Sequence, residues 1–320
     1  MSSTKRKAIT KVQQKLPLEG IMMILSPAKT LDLSPYPAPS GGPTGALPTR
    51  TQPQCNAVQT LEIATIMKSR TDLVKLLGVS ANVGKTAQEY WDKFELDNYS
   101  HVDDGEQQRT TRAKNPQTKP CIYAFTGMAY QGLQVQECSD EAVLYLQQNL
   151  RIIDPLYGVL RPLDEIQPYR LEMATKGVFV KDKKFKLHDY WKESVTASLA
   201  QDLKDRDCKI VLNLASDEYS SAVNSDGLPS GTRFIKVTFL DGGRVVSVHA
   251  KRARGLMAKF VAENQCQILD QVKKFDLEGY AFSQAQSTQD SLVFERSKQG
   301  TNAQKRKTSS SGSGTKKSKK

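Results

Sequence analysis

The sequence predicts an α+β protein: a single mixed-sheet domain with surrounding helices and a helical hairpin element. Three observations carry that prediction. Short apolar runs of strand character alternate irregularly with amphipathic stretches, so the even strand–helix rhythm of a doubly wound sheet is missing. Late in the chain, Asp241-Gly242-Gly243 joins two strand-like runs over 234–240 and 244–250, the clearest antiparallel hairpin signal present. No segment repeats, which sets aside solenoids and propellers.

Taken in order, Ile21-Met22-Met23-Ile24-Leu25 is a continuous apolar run of strand length, stopped by Ser26-Pro27. A Pro/Gly-rich loop follows over 34–56, holding six of the fourteen prolines, and reads as an insertion because too little chain precedes it for a linker. Helical periodicity runs over 57–68, again over 72–77, and over 81–94. Gly78-Val79 makes the turn between the last two, with Ser80 as N-cap; this is the helical hairpin. Residues 97–119 are polar and read as loop, and 121–125 reads as a strand closed by Thr126-Gly127. A helix is expected over 139–150, capped by Ser139 or Asp140, with Val143, Leu144 and Leu146 facing inward. Residues 151–153 fit either a short strand or the end of that helix, and 157–173 is irregular because its prolines disfavour helix before them. Helices over 189–203, 251–264 and 267–273 and a buried strand over 209–214 complete the body.

The net charge of +12 invites a nucleic-acid reading, but its distribution weakens it. Residues 1–20 carry +4 and residues 296–320 carry +9, which leaves about −1 for the body between them. The tails, 1–20 and 297–320, are rich in Ser, Gly and Thr and are expected to be disordered; the domain spans 21–296. Lys305-Arg306-Lys307 and the closing Lys-rich run fit a nuclear address or a tail grazing nucleic acid, and fit a merely solvated tail equally well. No apolar run approaches the ~20 residues of a membrane span, and the N-terminal stretch lacks the apolar core of a secretory signal. Five cysteines, odd in number and without a CxxC, point to reduced thiols in a cytosol-like compartment and to neither a disulfide framework nor a zinc site.

Familiar catalytic signatures are missing. Gly78 to Thr86 ends in Gly-Lys-Thr, but its first glycine lies one residue too far away and follows a helix, so it is not a P-loop. The histidines, 101, 188 and 249, are too dispersed for a metal or triad. Three polar segments stand out instead. The stretch 156–173 holds Arg161, Arg170, Tyr157 and Tyr169 on a Pro/Gly-stiffened backbone, suited to clamping phosphate and stacking a base. The plain alternative is a loop pinned by Arg161–Asp164 or Arg170–Glu172 pairs. Asp217 and Glu218 follow a buried strand, where carboxylates serve catalysis or metals; the alternative is a helix start capped by Ser216. Lys251, Arg254 and Lys259 fall near one face of a helix start, where cations oppose the macrodipole and call for an anionic partner.

These segments, in this order, resemble the YaaA family of peroxide-stress proteins. The residues that carry the likeness are 24–32 (Ile-Leu-Ser-Pro-Ala-Lys-Thr-Leu-Asp), Ala124-Phe125 with Gly127, Tyr130 and Gly132-Leu133, and the whole of 156–173. Residues 213–219, Lys251 with Ala253-Arg254-Gly255-Leu256-Met257, Glu278-Gly279-Tyr280 and Leu292-Val293-Phe294 complete the set, which covers about 21–296. The resemblance implies one mixed α/β domain of unusual fold in a cytosolic protein that limits peroxide damage, associated with DNA binding through a helix-hairpin-helix element. Two positions depart from the pattern. Met128 stands where the family commonly has an acidic residue, so a metal or acid–base role for that carboxylate does not carry over. The hairpin reads Gly78-Val79-Ser80 in place of Gly-x-Gly, which main-chain N–H contacts to phosphate tolerate.

The expectation is therefore a cytoplasmic protein, with a nuclear address possible in the basic C-terminal tail, that binds duplex DNA without sequence preference and needs no cofactor, metal or membrane. Its phosphate contacts would be Lys29, Lys85, Arg161, Arg170, Lys251, Arg252 and Arg254, joined by main-chain groups at Gly78 and Ser80. The alternative is an enzyme acting on a nucleotide or nucleic-acid base, in which Lys29, Tyr169, Arg170, Asp217 and Glu218 converge. A third reading is a structural protein whose arginines only hold loops.

Overall fold

The computed structural model describes residues 19–32, 34, 119–166, 169, 171–175, 179–180, 183–184 and 186–297. The proline-rich loop, the helices expected over 57–94 with Gly78, Ser80 and Lys85, the residue Arg170 and both basic tails lie outside the described residues.

The frame is a seven-stranded mixed sheet. Its strands are β1 (Ile21–Leu25), β3 (Leu150–Asp154), β4 (Gly158–Leu160), β8 (Ile210–Asn213), β9 (Arg233–Asp241), β10 (Ala281–Phe282) and β11 (Ser291–Arg296). Their order is β10-β11-β9-β8-β1-β3-β4. The five inner strands are parallel, and the two edge strands β10 and β4 run antiparallel to their neighbours. Two short antiparallel pairs stand apart: β2 (Lys119–Pro120) with β5 (Glu165–Ile166), and β6 (Phe179–Val180) with β7 (Lys183–Lys184). The α+β expectation holds, with more of the sheet parallel than one hairpin implied. β1 and β8 are buried along their whole length, which is why both read as unbroken apolar runs: a parallel strand covered on both faces has no polar side to alternate with.

The helices are α1 (Cys121–Ala124), α2 (Met128–Leu133), α3 (Asp140–Asn149), α4 (Leu187–Asp205), α5 (Asp217–Ser220), α6 (Ser247–Glu263) and α7 (Leu269–Val272). α3 packs on β1 and β3, while α6 packs on β9, on α3 and most extensively on α2, so these three helices share a layer. α4 lies against β4 and buries Leu187, Trp191, Val195, Leu199 and Leu203. Ser139 caps α3 as its sequence predicts, accepting from the Ala142 amide at 3.2 Å. At the other end of α3 the buried Arg151 side chain donates to the carbonyls of Gln148 and Leu150 at 3.2 and 2.8 Å and to Asp202 at 2.5 Å. A cation thus satisfies carbonyls that the helix end leaves open.

Several local expectations are corrected. Residues 121–124 form the one-turn helix α1 and not a strand, and Phe125 makes an isolated bridge to Leu31; all four residues of α1 are buried, so no polar face reveals its period. Leu144 lies on the outer side of α3, while Val143 and Leu146 face the core. The run 244–250 is not the second arm of a hairpin. β9 is already paired on both sides, with β8 and β11, so no edge is free to receive a hairpin partner. The chain turns at 242–246 and enters α6 at Ser247. Lys251 and Arg254 therefore sit in the second turn of α6, beyond its N-terminal turn, and the conflict with the macrodipole inferred from sequence disappears.

Candidate functional site

From β1 the chain proceeds to β3 on one side, whereas from β8 it proceeds to β9 on the other. β1 and β8 are neighbours, so the crevice beyond their carboxyl ends is the topological switch point where open parallel sheets take ligands. Asn213 ends β8 by accepting from the Ala215 amide at 2.9 Å, which turns the chain across the crevice. Ser216 then meets Ser26, from the end of β1: its amide donates to Ser26 Oγ at 2.9 Å, and the two hydroxyl oxygens lie 3.4 Å apart. Ser216 occupies the N-cap position of α5 without a side-chain cap bond, so its hydroxyl is directed to this contact. Tyr130, on α2, donates its hydroxyl to the Ser26 carbonyl at 3.1 Å.

Residues 171–175 form a strap that ties the two loops together. Lys29 Nζ donates to Glu172 at 2.5 Å, and the Ala174 amide donates to Glu218 Oε1 at 3.0 Å. Lys29, Asp217 and Glu218, three of the five residues proposed from sequence for an enzymatic site, are thus gathered at the crevice. Asp217 is exposed and forms an ion pair with Lys236 of β9 at 2.7 Å.

Tyr169 has another role. It is buried, and its hydroxyl donates to Asp154 at the carboxyl end of β3. Asp154 Oδ1 also accepts from the Leu156 and Tyr157 amides at 2.8 and 2.9 Å. Burial raises this carboxyl to about 6, against the opposing effect of the three hydrogen bonds. Asp154 anchors Leu156, Tyr157 and Tyr169 together, and its role was not read from the sequence. A lone acid closing an apolar run, directly before Pro155, was the signal available.

The arginines divide. Arg161 is paired with Asp164, at 3.4 Å, as the structural alternative had it. Arg252 is held by Glu278 at 2.7 Å and by the Gln131 carbonyl at 3.0 Å. Lys251 is exposed, and Lys259 reaches Glu137 at 3.1 Å. Arg254 is half-buried; its Nε is inaccessible and without a hydrogen-bond partner, and among the described residues no carboxylate or carbonyl bonds its guanidinium. Burial lowers its pKa, and the Asp217 carboxylate partly offsets this. Its position follows from the crossing of α2 and α6, where a Cβ on Gly255 would lie 1.7 Å from the Ala129 carbonyl oxygen. Ala129 precedes Tyr130, so Arg254 and the Ser26–Ser216 pair belong to one neighbourhood.

A second ion network closes the ends of β9 and β11. Asp241 accepts from Arg296 and from Tyr280 Oη, the latter at 3.0 Å, and these bonds lower its pKa despite burial. A concavity of about 480 Å³ opens at the amino ends of the same strands, where Arg233 and Lys273 each face an acid, Glu19 and Asp270. Among the described residues no group of three or more His, Cys, Asp or Glu is placed to hold a metal ion, and no helix is long and apolar enough to cross a membrane.

A family model described as peroxide stress protein YaaA matches residues 21–286. The chain belongs to the YaaA family. It is 35% identical over 277 residues to a UPF0246 protein of Marinomonas sp. (strain MWYL1), covering 85% of this chain and 96% of that one. A UPF0246 protein of Chromobacterium violaceum is 35% identical over 288 residues, covering 87% of this chain and 100% of its own. One from Aliivibrio fischeri (strain MJ11) is 33% identical over 283 residues, covering 87% and 99%. The resemblance drawn from the motifs is therefore correct across the body of the chain.

For a YaaA-family peroxide-stress protein, the state of the thiols matters. Burial raises the pKa of Cys121, Cys138, Cys208 and Cys266, with Cys138 and Cys266 reaching about 11. Thiolate is the reactive form, so these four are poor nucleophiles toward peroxide. Peptide-resolved alkylation of the native protein at pH 7.5 should label them at least ~100-fold more slowly than an unfolded control. Rapid labelling of Cys138 would show that it is not held as a thiol.

Proposed function

We propose that this YaaA-family protein binds duplex DNA without sequence preference, through cations near the carboxyl edge of the sheet and through its basic termini. The observation that carries the reading is the pairing of Lys251 with Arg254 on α6: one is exposed, the other has no hydrogen-bonded counter-ion among the described residues, and Lys29 lies at the neighbouring crevice. A body near −1 attracts a polyanion only through such a local cluster, so the tails supply most of the long-range attraction. The test is a titration of duplex DNA across salt concentrations with the full chain. Affinity should fall steeply with salt, and Lys251→Ala should lower the salt slope by about one. Salt-independent binding, or none at ~50 mM salt, would refute the reading.

One observation favours a second reading. The strap brings Lys29 and Glu218 to the same crevice as Asp217, an arrangement suited to an enzyme acting on a nucleotide or nucleic-acid base, with carboxylates as acid–base groups. In that case Asp217→Asn abolishes turnover with little change in affinity.

A further inference from the structure

We propose that the crevice between β1 and β8 is a seat for a single phosphomonoester, the 5′-phosphate of a mononucleotide or of a nucleic-acid end, with Arg254 as its principal cation. This goes beyond duplex binding and does not depend on it. The starting point is an arginine with no hydrogen-bonded counter-ion among the described residues. Half-buried guanidinium groups are normally paired, because removing the ion from water is offset only by an anion or a set of acceptors. Arg254 hydrogen-bonds no anion and no acceptor among the described residues, and the exposed Asp217 carboxylate acts on it only through space, while Arg151, Arg161, Arg252 and Arg296 each have a paired carboxylate. The crossing of α2 and α6 is also too close to let α6 shift, so the backbone that carries Arg254 is fixed before any ligand arrives.

The surroundings select the kind of anion. Ser26 and Ser216 bring two partly buried hydroxyls together where the loops after β1 and β8 meet, groups that donate readily to phosphate oxygens. Glu172, Asp217 and Glu218 stand around it. A run of backbone phosphates crossing that rim would meet the Lys29–Glu172 and Lys236–Asp217 ion pairs and the carboxylate of Glu218, a rim with no cation to spare for a polyanion. A single protruding phosphate reaches Arg254 past them, and the remaining carboxylate oxygens can accept from sugar hydroxyls or base amino groups. A phosphomonoester also carries nearly two negative charges and makes the bidentate contact that a recessed guanidinium favours. Lys251, exposed on the same helix, is the group suited to a passing duplex; Arg254 is the group suited to a phosphate that projects inward.

The experiment is calorimetric titration of the full chain with thymidine 5′-monophosphate and with thymidine. A single-stranded oligonucleotide bearing either a 5′-phosphate or a 5′-hydroxyl is then used as competitor. The monophosphate should bind at least about tenfold more tightly than the nucleoside. Arg254→Gln should erase that preference, and Lys251→Ala should leave it intact while weakening duplex binding. Asp217→Asn, at a side chain 80% exposed, should tighten monophosphate binding a few-fold by removing a like charge. Competition by the 5′-phosphorylated strand alone assigns the seat to nucleic-acid ends; competition by neither strand assigns it to free nucleotides. Equal binding of nucleoside and monophosphate overturns the proposal, as does a folded Arg254→Gln variant that keeps the preference. If Arg254→Gln does not fold, the Asp217→Asn variant decides: an unchanged monophosphate affinity overturns the proposal.

Discussion

Replacing Gly255 with alanine is expected to destabilise the protein by at least about 3 kcal/mol, against a helix-propensity gain of ~1 kcal/mol. Gly255 lies within α6, where alanine is the better helix former, so local reasoning predicts a more stable protein. Packing reverses the sign. The added Cβ would lie 1.7 Å from the Ala129 carbonyl oxygen and 2.7 Å from its carbon, both backbone atoms that no rotamer change can move. α2 and α6 would have to separate along their whole contact, and that layer carries both Tyr130 and Arg254. Gly132→Ala, whose Cβ would lie 2.1 Å from the Arg252 carbonyl oxygen, should behave alike. Because the two glycines share one crossing, the double variant should cost less than the sum of the singles. Urea unfolding measures all three; a Gly255→Ala protein as stable as its parent would show that the helices do not cross so closely.

The second large effect is at Asp154. Asp154→Ala leaves the Tyr169 hydroxyl and the Leu156 and Tyr157 amides buried without their acceptor, an expected loss of about 3–5 kcal/mol. Its pH dependence is more diagnostic. Burial raises the carboxyl from 3.8 to about 6, so the folded protein holds this proton more tightly than the unfolded chain. The associated stabilisation is fully present below the unfolded value and is lost as pH rises through about 6. A shift of about two units corresponds to ~3 kcal/mol. Asp154→Asn keeps an acceptor for the amides but cannot ionise, so between pH 4 and 7 its stability should move by about that amount in its favour relative to the parent. A difference that stays flat with pH would show that the carboxyl is not raised.

The parts of this fold that were legible in the sequence are those whose neighbours leave a local imprint. β1 and β8 read as strands because burial on both faces excludes polar residues from them. Ser139 read as a cap because its hydroxyl serves an amide three residues away. The misreadings share a different cause. Arg244 to Ala250 has strand-like composition and follows an Asp-Gly-Gly turn, yet β9 has no free edge. Residues 121–124 are buried on every side, so a one-turn helix and a strand present the same apolar run. At the site, Lys29, Asp217 and Glu218 were legible as polar residues at strand ends. Arg161, Arg252 and Arg254 were indistinguishable until their partners were known.

The chain's charge partition, the motif set that places it in the YaaA family and the positions of the buried parallel strands were determined by the sequence alone, because each depends on residue identity or on neighbours a few positions away. Three things were decided only by the tertiary structure: which arginine has no hydrogen-bonded partner among the described residues, which tyrosine holds the Asp154 carboxyl, and that two loops 190 residues apart, at Ser26 and Ser216, meet. The reason is physical: pairing, burial and the raising of the Asp154 carboxyl depend on atoms brought within a few ångströms by the sheet order, and that order is set by long-range strand pairing.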